Sequence, residues 1–125
     1  MANPTGEDLA VSCAQAADER KGEDISVLQV GDMSALTEYF VIVTGRNTRH
    51  LRALRIEMED TLEEMGRTTR VEGEPDAGWL LVDAGSVVVH LFGEKKRNLY
   101  DLEMLWGDCP RIDWSARRAG KGGGE

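Results

Sequence analysis

Side-chain chemistry needs reactive groups brought together, and this sequence holds few of them. The two histidines, His50 and His90, are far apart, and the two cysteines, Cys13 and Cys109, lie toward opposite ends. Neither pair has the close spacing of a zinc site. Cys13 has no base near it and reads as a small core residue. Metal-dependent phosphoryl transfer usually needs two or more carboxylates converging on the metals. Between Trp79 and Phe92 only Asp83 is acidic, with no Asp-x-Asp or Asp-x-Glu pair. The turn Thr44-Gly45-Arg46-Asn47-Thr48 joins an apolar run to a helical pattern, where free backbone N–H groups can hold an anion. A plain cap and turn, with Asn47 or Thr48 opening the helix, is the competing reading. The expectation is a protein without catalytic residues, metal or cofactor.

The stretch from Trp79 to Phe92 carries a different kind of signal. WLLVD and VVVHLF are joined by Ala84-Gly85-Ser86, which predicts a β-hairpin. With Gly85 and Ser86 at the turn, Asp83 faces Val88, Leu81 faces His90 and Trp79 faces Phe92. Side chains alternate along a strand and opposed residues share a face. Trp79, Leu81, Asp83, Val88, His90 and Phe92 therefore point one way. Leu80, Val82, Val87, Val89 and Leu91 point the other, as an aliphatic core set. A face that mixes aromatics with a few polar groups resembles a protein-docking patch. The alternative is that a final helix bearing Leu102 and Trp106 covers this face and that Asp83 and His90 form a buried pair.

These residues need a scaffold. Helical spacing predicts a first helix from Glu7 to Lys21, with Gly22 as its C-terminal cap. Ile25–Val30 and Tyr39–Thr44 read as strands, the second apolar on both faces and so interior to a sheet. Leu51, Leu54, Met58, Leu62 and Met65 form the stripe of a long helix that Gly66 ends. Thr69–Glu72 predicts a short strand before a loop at 73–78. After the hairpin, Glu94–Arg97 reads as a charged connector and Asn98 as the cap of a short last helix. The fold expectation is α/β: a single mixed sheet of about five strands with helices packed on it. Residues 1–107 form the expected domain and 108–125 a flexible tail.

Length and charge bound the partners. The chain has 125 residues, enough for one domain with a real core, and 41% of them are hydrophobic. Its formal net charge of −8 argues against wholesale neutralisation of nucleic-acid phosphates and for a basic protein partner. Arg46, Arg49 and Arg52 form a local basic cluster near the start of the long helix, against the helix dipole. They predict either a solvated face, with pairs such as Arg55–Glu59, or a small patch that meets RNA. The apolar runs are too short to span a bilayer. Two unpaired cysteines suit a reducing compartment. The first ten residues carry Glu7 and Asp8 and resemble neither a secretory signal nor a transit peptide.

Five stretches, in order, resemble the ribosomal silencing factor family, also called Iojap-related or RsfS proteins. They are EDISVLQV (23–30), LTEYFVIVTG (36–45), VEG (71–73), GWLLVDAGSVVVHLF (78–92) and RNLYDLEMLW (97–106). The resemblance implies a nucleotidyltransferase-like α/β fold and a cytoplasmic, bacterial translational repressor, often a homodimer. It implies binding to protein fourteen of the large ribosomal subunit, with the small subunit sterically kept from joining when nutrients are scarce. Carried onto this chain, the contacts it implies are Trp79, Leu81, Asp83, Val88, His90 and Tyr100. A nucleotidyltransferase-like enzyme, degenerate in its site, is the alternative that the fold resemblance suggests. Glu38, Ala84 and Glu94 depart from the family pattern, which has Asp, an aromatic residue and Pro there.

Overall fold

The computed structural model describes residues 4–32 and 34–115. Helix α1 (Gly6–Glu19) starts at a reciprocal capping box. The Asp8 N–H donates to Thr5 Oγ1, and the Thr5 N–H donates to Asp8 Oδ2, both at 3.1 Å. Its apolar side, including Leu9, Cys13, Ala16 and Ala17, is fully buried or nearly so. The expected glycine cap is corrected: Lys21, at φ 67°, holds the left-handed position. Gly22 is small for another reason. A Cβ there would lie 2.7 Å from Val43 Cγ1, so the chain passes too close to the sheet for a side chain.

Strands β1 (Glu23–Gln29), β2 (Tyr39–Gly45), β3 (Arg70–Glu74), β4 (Trp79–Asp83) and β5 (Val87–Gly93) form one sheet in the order β1-β2-β5-β4-β3. Only the β2–β5 pairing is parallel, so the sheet is mixed. The parallel pairing needs a crossover, and α2 (Thr48–Glu64) begins it. Asn47 caps α2 by accepting the His50 N–H at 2.8 Å. Gly66, at φ 87°, ends it as the sequence predicts.

Alternation sorts the sheet into two faces. Val41, Val43, Leu80, Val82, Val87, Val89 and Leu91 meet α1 and α2 in the main core. Each fully buried aliphatic side chain there contributes about 1.5–3 kcal/mol relative to exposure. The other face is a smaller cluster of Leu28, Val30, Ile42, Phe92 and Cys109, with Phe40, Trp79, Leu102 and Trp106 packed against it.

Two expectations at the C-terminal end change. Glu94–Tyr100 is itself a helix, α3, which opens after Gly93, so Asn98 lies inside it. Asp101, in the left-handed region at φ 43°, separates α3 from a single turn, α4 (Leu102–Leu105). The side chain of Asp101 accepts the Met104 N–H at 3.3 Å, so a short polar residue both breaks one helix and caps the next. The beginning of the expected tail at 108–125 also packs, and residues 116–125 lie outside the described residues. Gln29 N–H donates to Pro110 O and Ile112 N–H to Val27 O, and Leu28 bridges Arg111. This segment covers the outer edge of β1, where open strand hydrogen bonds would otherwise face solvent.

Candidate partner-binding groove

The hairpin register is the expected one: Trp79 opposes Phe92, Leu81 opposes His90 and Asp83 opposes Val88. The six residues share the face away from α1 and α2. They do not share an environment. Trp79, Leu81, Asp83 and Val88 are half-buried, whereas His90 is 7% exposed and Phe92 1%. Phe92 is thus corrected from contact residue to support. It lies under a stack in which its ring is 5.7 Å from Trp79 and 6.0 Å from Tyr100. Trp79 also meets Tyr100 at 5.1 Å, which brings the implied contact Tyr100 from α3 to the end of the hairpin.

Beside this stack runs a groove of about 530 Å³. Leu81, Asp83, Val88 and His90 line it from the hairpin, together with Phe40 of β2. Ser34, Ala35, Leu36 and Thr37 line it from the loop before β2, and Trp106 from the end of α4. Leu36 is 91% exposed at the rim, so the groove and its apolar edge form one contiguous open surface. The last helix therefore covers only part of the hairpin face: Leu102 and Trp106 seal the Phe92 end and leave the Leu81–Val88 end open.

The two polar groups do not pair. Asp83 Oδ1 accepts the Gly85 N–H at 2.8 Å and so holds the turn. His90 packs edge-on to Phe40 at 4.7 Å, and neither of its ring nitrogens has a hydrogen-bond partner in the protein. Burial pushes its pKa down to about 4, so the ring is neutral at pH 7. Thr37 Oγ1 and Trp79 Nε1 are also buried without a partner. The floor is apolar with a few unspent donors and acceptors. That arrangement suits recognition and lacks the converging carboxylates of metal-dependent phosphoryl transfer. Among the described residues no group of three or more His, Cys, Asp or Glu is placed to hold a metal.

Two other clusters lie outside the groove. Residues 44–48 form a cap and turn: Asn47 takes the His50 N–H, and the Arg46 N–H donates to His50 Nδ1 at 2.9 Å. Those N–H groups are occupied, which weakens the anion-site reading. Arg46, Arg49 and Arg52 are exposed. They sit at and after the Gly45 end of β2, and α2 packs on the sheet face opposite the groove. The sheet therefore lies between this patch and the groove. Arg55 does pair with Glu59 at 2.7 Å.

A second, polar pocket of about 460 Å³ surrounds Arg97, which is only 8% exposed. Its guanidinium donates to Glu103 at 2.6 and 3.1 Å, to Thr44 Oγ1 at 3.0 Å and to Ser26 Oγ at 3.3 Å. Burial alone would raise the Glu103 pKa. Hydrogen bonds from Arg97 and Ser26 outweigh it and hold the carboxyl below its usual value. Sequence reasoning missed Leu36, Thr37 and Phe40 as groove walls and Arg97 as a buried anchor. Phe40 was within reach, because it lies on the face of β2 opposite Val41 and Val43. Arg97 was not, because nothing local marks one arginine in a charged run as buried.

Comparison with known proteins places this geometry among relatives. Residues 3–123 match the family described as "Ribosomal silencing factor during starvation". The Ribosomal silencing factor RsfS of Bacillus subtilis is 40% identical over 101 residues, covering 80% of this chain and 86% of that protein. The chloroplastic protein Iojap of Zea mays is 35% identical over 106 residues, covering 84% of this chain and 46% of that one. A crystal structure of a Chromobacterium violaceum protein superposes with a TM-score of 0.78 at 33% identity, covering 82% of this chain and 87% of that one. One from Bacillus halodurans gives 0.69 at 33% identity, over 86% and 95%.

Proposed function

Because this chain belongs to the ribosomal silencing factor family, we propose that it binds the large ribosomal subunit through the hairpin groove and blocks small-subunit joining sterically. The partner in this reading is ribosomal protein fourteen of that subunit, and the protein acts as a translational repressor under nutrient limitation. The reading is non-enzymatic, with no cofactor, and places the protein in the bacterial cytoplasm. No helix among the described residues is long and apolar enough to cross a membrane.

One observation carries the docking site. Among the described residues, the mixed face of the sheet is left half-open, with an apolar groove, an exposed Leu36 at its rim and unpaired polar atoms in its walls. A folded core would close such a face, and plain surface would not collect these aromatics. Trp79, Leu81, Asp83, Val88 and Tyr100 are the proposed direct contacts, with His90 and Phe92 as the layer beneath. Asp83 adds a carboxylate that complements a basic partner.

Arg46, Arg49 and Arg52 supply a peripheral contact with ribosomal RNA in this proposal. Since the sheet separates them from the groove, that contact requires the ribosome to reach around the Gly45 end of the domain. The free protein is proposed to be a homodimer. If dimer and ribosome share the hairpin face, the two states compete, and analytical sedimentation against concentration measures the first of them.

Co-sedimentation with isolated large subunits tests the reading. Wild type pellets with the subunit and prevents small subunits from joining. A folded Trp79→Ala protein binds more weakly. Failure of wild type to pellet refutes the function, whereas unimpaired binding by folded Trp79→Ala removes the hairpin from it.

A further inference from the structure

We infer that Arg97 and Glu103 are the positioning pair of the docking surface. Their ion pair sets the roll of α4 on the sheet, and so places Trp106 over the groove. The inference rests on the docking function proposed above and specifies how its surface is held.

The argument begins with α4 itself. It is a single turn of four residues, Leu102–Leu105, with none fully buried. A helix this short has no stability of its own. Its polarity is partly inverted. Met104 is 79% exposed and Leu105 69%, while the charged Glu103 is turned toward the protein. Apolar burial by Leu102 and Trp106 holds one side of the turn against Phe92 and Ile42. Burial of Met104 and Leu105 would favour a different roll. Hydrophobic forces alone therefore leave the roll of α4 open.

Arg97 closes that choice. Its guanidinium is fixed from two strands, through Ser26 of β1 and Thr44 of β2. The Nη2 and Nε groups then present a fork that Glu103 fills with both oxygens, at 2.6 and 3.1 Å. Ser26 Oγ adds a donor to Glu103 Oε2 at 2.7 Å. A planar fork specifies direction as well as distance, which a lysine ammonium does not. A buried ion pair contributes little net stability against apolar packing but can select one arrangement over its neighbours. Here the selected arrangement puts Trp106 5.3 Å from Phe40 at the groove wall. It also keeps α3 seated, with Tyr100 against Trp79.

Glu103→Gln and Arg97→Lys test this, with Glu103→Asp as the charge-retaining comparison. Two quantities are measured: affinity for isolated large subunits by co-sedimentation, and amide hydrogen exchange in the free protein. The expected result for Glu103→Gln and Arg97→Lys is a loss of affinity of about tenfold or more. Exchange at residues 102–106 accelerates, and protection in β2 and β5 stays at the wild-type level. Glu103→Asp recovers part of the affinity. Unchanged exchange at 102–106 would mean that the pair does not hold α4. Faster exchange with unchanged affinity would mean that the roll of α4 is not used in docking. Lost protection in β2 and β5 would make the pair a general prop of the fold. If wild type itself fails to pellet, the docking function falls, and this inference with it.

Discussion

Lowering the pH should destabilise this protein through His90. The ring is 7% exposed, has no hydrogen-bond partner and is packed between Phe40 and Phe92. Burial lowers its pKa from 6.5 to about 4. The unfolded chain, with the ordinary value, binds a proton at a higher pH than the folded chain does. Stability is therefore fully present above pH 6.5 and falls as the pH drops toward 4. At pH 5 the unfolded ring is almost wholly charged and the folded ring almost wholly neutral. The linked loss is then about 2 kcal/mol, approaching about 3 kcal/mol at lower pH. The assay is urea unfolding at pH 7.5, 6.5, 5.5 and 5.0, with His90→Phe as the reference. The variant removes the titration and keeps an aromatic ring against Phe40 and Phe92. Wild type should lose about 2 kcal/mol relative to the variant between pH 7.5 and 5.0. Parallel curves would refute the reasoning, because they would mean that the folded ring takes up its proton as easily as the unfolded one. Histidine ring resonances give a second reading, since those of His90 should remain in the neutral form at pH 5.5.

Three further outcomes follow from the same structure. Leu81→Glu puts a charge into the half-open groove, and should cut large-subunit affinity by about tenfold or more while changing the urea midpoint little. Arg49→Glu with Arg52→Glu should move two quantities in opposite directions. Acidic residues near the start of α2 suit its dipole, so stability rises by about 0.3–1 kcal/mol at low salt, mainly through Arg49 in the first turn. If the patch meets RNA, affinity and its salt dependence both fall, whereas unchanged binding would leave these arginines as plain surface. Gly73→Ala should destabilise the fold by about 2 kcal/mol or more in urea unfolding, because Gly73 has φ 92° and a Cβ would collide with the Trp79 carbonyl oxygen. A neutral result would show that the β3–β4 edge can shift to admit a methyl group.

How far the sequence reached can be seen at particular residues. Strand alternation from Trp79 to Phe92 defined both faces of the hairpin and its register, because a two-residue period leaves only two faces and Gly85 located the turn. The long apolar stripe and its stop at Gly66 were equally plain, since they are local and periodic. Asn98 misled, because a good capping residue also occurs inside helices, and Gly93 had already opened α3. Gly22 misled because a glycine can serve a close approach as well as a left-handed turn. The packed segment at 109–114 carries no strong local pattern, and only its pairing along β1 defines it.

The sequence by itself determined which residues share a face, because that follows from the repeat of the strand. It also determined the family, because the ordered motifs are dense in the strands and the last helices. Only the tertiary structure decided what lies over the hairpin face. Leu102 and Trp106 close one end, and the 34–37 loop borders the other without closing it. This is why Phe92 became support, Leu81 stayed within reach, and His90 was left buried without a partner. Exposure is set by segments distant in sequence whose placement depends on packing and on the Arg97–Glu103 pair, and no local period encodes that.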